Sequence, residues 1–274
     1  MTDAAKPAQP ALSPSEAALP PMPKIRRIEA ADIKDALRLG WEDFRAATGF
    51  GLFFGAFYAF AGMILWLMLS EWNMPWLMIP LGVGFPLLGP FIAVGLYEVS
   101  RQRQRGEKLR WGHVLGVMVE QRKRELGWMA FVTLFIFWVW LYQIRLLLAI
   151  IMGKMSFSSL DQFMGLVFTT AEGWTFLTIG AGVGALLALA LFSSTVVSIP
   201  LLLDRDRDFI TALITSWQSV IQNPRCMIAW GLVVTAAVMA GMATFFLGLI
   251  VVLPVLGHAT WHLYQKLVEP EEPR

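Results

Sequence analysis

Charge is what this chain has least of. Only 15% of its residues are Asp, Glu, Lys or Arg, against 57% hydrophobic ones, and the mean hydropathy is +0.59. A soluble domain carries about 25% charged residues, so this composition excludes that class. A net charge of +2 also leaves no strongly basic surface for nucleic acid. Cys226 is the single cysteine, which rules out a disulfide or a paired-thiolate metal centre within the chain. Histidine is nearly as rare, with His113, His258 and His262 the only three. Membrane strands of about ten alternating residues are missing too, so any spans are helical.

Long apolar runs are what the chain does contain. A helix needs about 20 apolar residues to cross a ~30 Å hydrocarbon core, and residues 49–70, 76–99, 127–151 and 174–203 each qualify. The last apolar block, 226–264, would reach ~58 Å as one helix. Two helices, 226–244 and 246–264, joined by a very tight turn are therefore predicted. An internal repeat agrees with that division, since ALRLGWEDF at 36–44 matches ALITSWQSV at 212–220, and PLLG at 86–89 matches PVLG at 254–257. The expected fold is an all-α membrane protein of six transmembrane helices in three hairpins. Residues 1–24, rich in Pro and Ala and without the apolar core of a signal peptide, read as a disordered tail. Residues 25–268 form one membrane domain, and 269–274 a short tail.

Of the 22 Lys and Arg residues, all but Arg145 and Lys154 fall in the segments that six spans place on one side together with both ends. Basic segments stay in the cytoplasm, which predicts both termini cytoplasmic in a bacterial inner membrane. The segment before each hairpin is amphipathic. Ile33, Leu37, Trp41 and Phe44 make one stripe, Trp111, Leu115 and Met118 a second, and Ile210, Leu213, Trp217 and Ile221 a third. With Arg and Lys at their borders, these stripes suit helices lying in the headgroup layer.

Few side chains invite a chemical role. Arg145, the ionisable group inside a span, lies ~27 Å along its helix from residue 127 and is expected to snorkel to the outer interface, where Glu172 is placed to pair with it. Ser193, Ser194, Thr195 and Ser198, with Gly180 and Gly184, read as helix-packing residues. His258 and His262 share one helix face, a spacing that can contribute to a zinc or copper site. Two same-face histidines fall short of a closed site and cannot both be axial to one haem, so hydrogen bonding within the bundle is their expected role. No cofactor is expected, and the lipid bilayer is the one certain partner.

The stretches GWEDF at 40–44, LGPFIAVGLYEVSRQRQRGE at 88–107, VVSIPLLLDRD at 196–206 and VVLPVLGHATWHLYQKLV at 251–268 together resemble a bacterial family of multi-pass integral membrane proteins of unknown function. The resemblance runs from about residue 30 to 268 and is most specific at GHATWH. Some members of that family carry a cytochrome c oxidase subunit label, which implies a link to the respiratory chain. The catalytic haem-copper subunit needs more intramembrane histidines than His258 and His262, so that role is excluded. The expectation is a non-catalytic protein packed in or beside a larger membrane complex. A small-molecule or ion permease and a metal- or haem-handling protein are the alternatives.

Overall fold

The computed structural model describes residues 21–70, 78–122, 125–153 and 160–271, and its regular elements are helices apart from one antiparallel bridge between Ile25 and Val268. Lys154, the turn EWNMPW, most of the N-terminal tail and the last three residues lie outside the described part. In chain order the helices are α1 Ala30–Ala46, α2 Thr48–Ser70, α3 Met78–Gln104, α4 Trp111–Arg122, α5 Leu126–Ile151, α6 Leu160–Thr169, α7 Ala171–Thr195, α8 Ser198–Asp204, α9 Phe209–Gln222, α10 Pro224–Ala243 and α11 Leu249–Leu267.

Among the described residues four helices are long and apolar enough to cross a bilayer: α2, α5, the α7–α8 run and α10. The expected spans at 76–99 and 246–264 correspond to α3, whose sequence from Met78 to Tyr97 is free of charge, and to α11, which falls short of that composition. Both run on into polar sequence, α3 through Glu98, Ser100, Arg101 and Arg103, and α11 through His258, His262, Gln265 and Lys266. The four apolar helices leave many large side chains outside, including Phe53, Phe57 and Phe60 on α2, Phe131 and Phe135 on α5, Trp174 and Leu186 on α7, and Leu232 and Met239 on α10. An apolar belt of that extent is stable only against lipid or another apolar surface. Pro200 explains the break between α7 and α8, because it cannot donate to the Val196 carbonyl. The Val197 N–H there donates instead to Ser216 Oγ at 3.1 Å. Gly180 and Gly184 face Leu147 and Trp140 of α5, in helix contact as expected. Helix α6, between the third and fourth long helices, has no counterpart in the sequence reading; Thr170 follows it and caps α7 by accepting from Gly173 N at 3.0 Å.

The block 226–264 is divided as its length demanded. Thr244 closes the turn after α10, its hydroxyl donating to Gly241 O at 2.8 Å and accepting from Gly248 N at 2.7 Å. Phe245 and Phe246 take left-handed backbone angles, φ 53° and 66°, unusual for bulky residues. Their rings are held against α2, with Phe246 on Gly62 and Phe245 edge-on to Trp66 at 5.6 Å between centroids. Returning, α11 lies along α2 and then along α1. Pro254 leaves the Ile250 carbonyl without its helix donor, and that carbonyl sits directly over Gly55 of α2, where a side chain would collide. The chain ends meet: Arg26 N donates to Leu267 O at 2.7 Å and Glu269 N to Lys24 O at 3.0 Å. Asn223 locks the same corner, accepting from Ile28 N at 2.9 Å and donating to Arg26 O at 3.0 Å. Residues 24–28 and 267–269 therefore occupy one end of the bundle.

The amphipathic helices divide their work differently than expected. In α1 the buried face is Ile33, Ala36, Gly40, Asp43 and Phe44, pressed on α11, while Trp41 of the expected stripe is 46% exposed. Small residues at 36 and 40 let α11 come too close for a bulky stripe. Helix α9 buries Ala212, Thr215, Ser216, Ser219 and Val220, and leaves Ile210, Ile214, Trp217 and Ile221 outside. A helix that packs its hydroxyl face and exposes its apolar face suits the headgroup layer. The two helices share their buried register: Ala36, Gly40, Asp43 and Phe44 align with Ala212, Ser216, Ser219 and Val220 in the repeat read from sequence.

A side chain at Gly40 would place Cβ 2.6 Å from Ala259 N and 2.7 Å from Val255 O, both backbone. Gly40→Val is expected to separate α1 from α11 and to lower the thermal midpoint of the detergent-solubilised protein, an overpacking cost of about 1–3 kcal/mol. Gly49→Ala, with open space around its Cβ, should leave the midpoint unchanged.

Candidate functional site: a buried polar network

Where α1, α3 and α11 meet, near the end that holds the Ile25–Val268 bridge, the core is polar. Asp43, Ser100, His258 and His262 are each 6% exposed or less. Gly40, Gly257 and Ala259 set the spacing, since their small size brings α11 against α1 and α3 closely enough for side chains to bridge. Asp43 is on the buried face of α1, Ser100 and Arg103 lie one turn apart on α3, and His258 and His262 one turn apart on α11.

The carboxylate of Asp43 is the hub. Its Oδ2 accepts from Ser100 Oγ at 2.6 Å and faces His262 Nε2 at 2.8 Å, while its Oδ1 accepts from Arg103 Nε at 2.8 Å. Burial alone would push its carboxyl up, but the bonds from His262, Ser100 and Arg103 outweigh it and hold the pKa at about 2. Proton counting then fixes the remaining donors. The Trp261 indole donates to Gln104 Oε1 at 2.9 Å, so the Gln104 amide nitrogen, 3.1 Å from His262 Nδ1, is the donor there. His262 is accordingly neutral, with its proton on Nε2 pointing at Asp43. Ser100 has spent its one proton on Asp43, so His258 Nδ1, 2.8 Å from Ser100 Oγ, must carry the hydrogen of that bond. The bare Nε2 of His258 is left buried without a hydrogen-bond partner among the described residues.

This order of bonds differs from a nucleophilic triad. In a triad the ring accepts the hydroxyl proton and the carboxylate orients the ring. Here the carboxylate takes the hydroxyl proton directly, and His258 donates to the oxygen it would have to deprotonate. No group of three or more His, Cys, Asp or Glu suited to a metal ion occurs among the described residues.

A second carboxylate lies farther along α3. Glu98, 1% exposed, faces Arg101 at 2.6 Å, Gln102 at 2.8 Å and His113 of α4 at 3.2 Å. Arg101 also donates to Leu203 O at 2.9 Å, tying α3 to α8. Outside these groups a cleft of about 400 Å³ opens, lined by Arg101, Gln104, Arg105, Arg205, Trp261 and Glu271 among others. Gln104 and Trp261 thus belong both to the cleft wall and to the network behind it.

Of the residues singled out from sequence, His258 and His262 come together in this network. Arg145 and Glu172 do not join it. Both are exposed, and among the described residues no ion pair links them. Cys226 donates to Ile28 O at 3.3 Å beside the paired chain ends. Asp43, Ser100, Arg103 and Gln104 escaped the sequence reading. The signal for Asp43 was a carboxylate at a core position of an amphipathic helix; for the others it was the polar run that ends α3.

Asp43→Asn removes the counter-charge of half-buried Arg103 and the charged acceptor of the Ser100 bond, and is expected to cost about 1.5–3 kcal/mol, the worth of a hydrogen bond to a charged group. Because folding lowers the Asp43 pKa from 3.8 to about 2, its stabilisation is present above about pH 4 and is lost as pH falls towards 2. Thermal unfolding in detergent should show a wide gap between wild type and Asp43→Asn at pH 7, closing at the acid end.

Comparison with curated proteins and with solved structures yields no match. A family model does match, and it covers less of the chain than the resemblance drawn from sequence. Of the four stretches that carried that resemblance, LGPFIAVGLYEVSRQRQRGE lies inside the match and VVSIPLLLDRD nearly so, whereas GWEDF and GHATWH lie outside it. Ser100, Arg103 and Gln104 fall within the matched segment, and Asp43, His258 and His262 beyond it. Residues 77–204 match the family of predicted integral membrane proteins DUF2189, a domain of unknown function, and with its apolar helices the chain is an integral membrane protein.

Proposed function

We propose that the chain is a non-catalytic component of a larger complex in the bacterial inner membrane, with the polar network serving to fix α1, α3 and α11 as one rigid end. The observation that carries this is the saturation of Asp43. Its carboxylate is engaged by three donors from two other helices, which leaves Asp43 spent as a base and Ser100 without an activated hydroxyl. Such a centre holds geometry. A respiratory complex is the assembly suggested by the labels in the resembling family.

Six membrane-inserted helices in three pairs, with both termini cytoplasmic, fit the charge distribution. The pairing of Ile25 with Val268 supports an even number of crossings, and with six of them 20 of the 22 basic residues fall on the same side as that pairing. The apolar outer faces of α5 and α10 are available for lipid or for a neighbouring subunit. His258 and His262 act in this proposal as hydrogen-bonding residues and not as ligands, since His262 Nε2 and His258 Nδ1 are turned to Asp43 and Ser100.

Affinity purification of the tagged chain from native membranes in mild detergent is expected to recover a stoichiometric membrane partner. Recovery of the chain alone at full yield would count against a complex. Reporter fusions at the two ends should both report cytoplasm. His258→Gln/His262→Gln should fold, and metal analysis and visible spectra should match those of wild type. Stoichiometric metal or a Soret band lost in the double variant would transfer these residues to a ligand role.

A further inference from the structure

The cleft beside the network has an excess of cationic donors over acceptors. Arg101, Arg105 and Arg205 line it, against the carboxylates of Asp204 and Glu271. Arg101 and Asp204 are committed, the first to Glu98 and Leu203 O, the second to the Tyr264 hydroxyl at 2.8 Å and to Arg205 Nε at 3.8 Å, while Arg205 Nη2 donates to Glu269 O. That leaves Glu271. One of its oxygens, Oε1, is shared by Arg207 Nη2 at 2.6 Å and Arg205 Nη1 at 3.4 Å, while its side chain remains 51% exposed. Arg205 and Arg207 are themselves 10% and 7% exposed, and Arg207 Nη1 is buried with no hydrogen-bond partner among the described residues. Two nearly buried guanidinium groups converge on one oxygen of a half-exposed carboxylate at the end of a short tail. Arg105, also lining the cleft and exposed, makes no ion pair among the described residues.

We propose that this cleft is a binding site for a phosphate-bearing molecule, with Glu271 as an internal competitor that occupies the arginines until the phosphate arrives. A phosphate offers three or more acceptor oxygens, any two of which match a guanidinium fork, whereas Glu271 meets both arginines through Oε1 alone. It would meet Arg205 in place of Glu271, and Arg105, which lines the same cleft. The cleft's volume of about 400 Å³ accommodates a headgroup or a small metabolite. Because Gln104 and Trp261 form its inner wall and also hold His262, occupancy would act on the α3–α11 contact. This inference stands apart from membership of a complex and fails or succeeds independently of it.

The test uses the purified full-length chain in a neutral detergent, titrated with inorganic pyrophosphate and followed by calorimetry. In parallel, the chain is released from nanodiscs of phosphatidylcholine and phosphatidylglycerol into a native mass spectrometer. Glu271→Gln, which removes the competitor from an exposed position, should bind the probe about tenfold more tightly than wild type, and Arg105→Gln about tenfold more weakly, each the worth of one charge-assisted bond. Both substitutions are at exposed side chains, and unchanged thermal midpoints confirm the fold. Pyrophosphate binding with this pattern assigns a soluble phosphate. Selective retention of phosphatidylglycerol with the same pattern, without pyrophosphate binding, assigns a lipid headgroup. Absence of binding in both arms even for Glu271→Gln, or binding indifferent to both substitutions, overturns the site.

Discussion

A carboxylate taken out of water must be met by donors, and Asp43 makes that demand from the buried face of α1. Isolated, it would stay charged only at a cost of several kcal/mol. Ser100, Arg103 and His262 meet it from α3 and α11, and each brings its helix to a fixed register. The glycines and alanines around them follow from the same requirement. Gly40 against Ala259, and Gly257 against Leu96, are the close approaches that put a short Asp and a short Ser within bonding range of the rings. The paired chain ends and the Asn223 lock close the same end of the bundle. A single buried charge thus organises three helices that hydrophobic burial alone would leave free to slide.

The rest of the molecule is arranged around lipid. In hydrocarbon the apolar side chains gain nothing by facing inward, so they face out, and the interior contacts fall to small residues and hydroxyls. That is the pattern of α7 against α5 and of α9 against α7, where Ser194 accepts from the Trp217 indole at 3.1 Å. Polar residues collect where α3 and α11 outrun the apolar belt. The network, the Glu98 cluster and the cleft are successive layers of that terminal cap.

The long helices were legible because their signal is length. A run of apolar residues has few alternatives to a membrane-inserted helix, and the division of 226–264 followed from bilayer thickness. Which face of α1 would be buried was harder. Its stripe of Ile33, Leu37, Trp41 and Phe44 has the right period, but the partner helix, 219 residues away in sequence from Asp43 to His262, selects the adjacent face with Ala36, Gly40 and Asp43. The repeat held that information, since ALITSWQSV places small residues and hydroxyls at the matching positions. The site was half visible. A histidine pair at one-turn spacing stands out in an apolar segment, whereas Asp43 and the run ending α3 look like ordinary solvated charge until tertiary contacts bury them.

The proton arrangement is the most exacting consequence of an Asp43-centred network, because each tautomer is dictated by its neighbour. Nitrogen NMR on the ring-labelled protein in lipid at neutral pH reads it directly. His262 is predicted to carry its proton on Nε2 and His258 on Nδ1, both neutral, and Asp43→Asn should disturb both signals. A His258 ring protonated on Nε2 and bare at Nδ1, or a His262 signal indifferent to Asp43→Asn, would contradict the account.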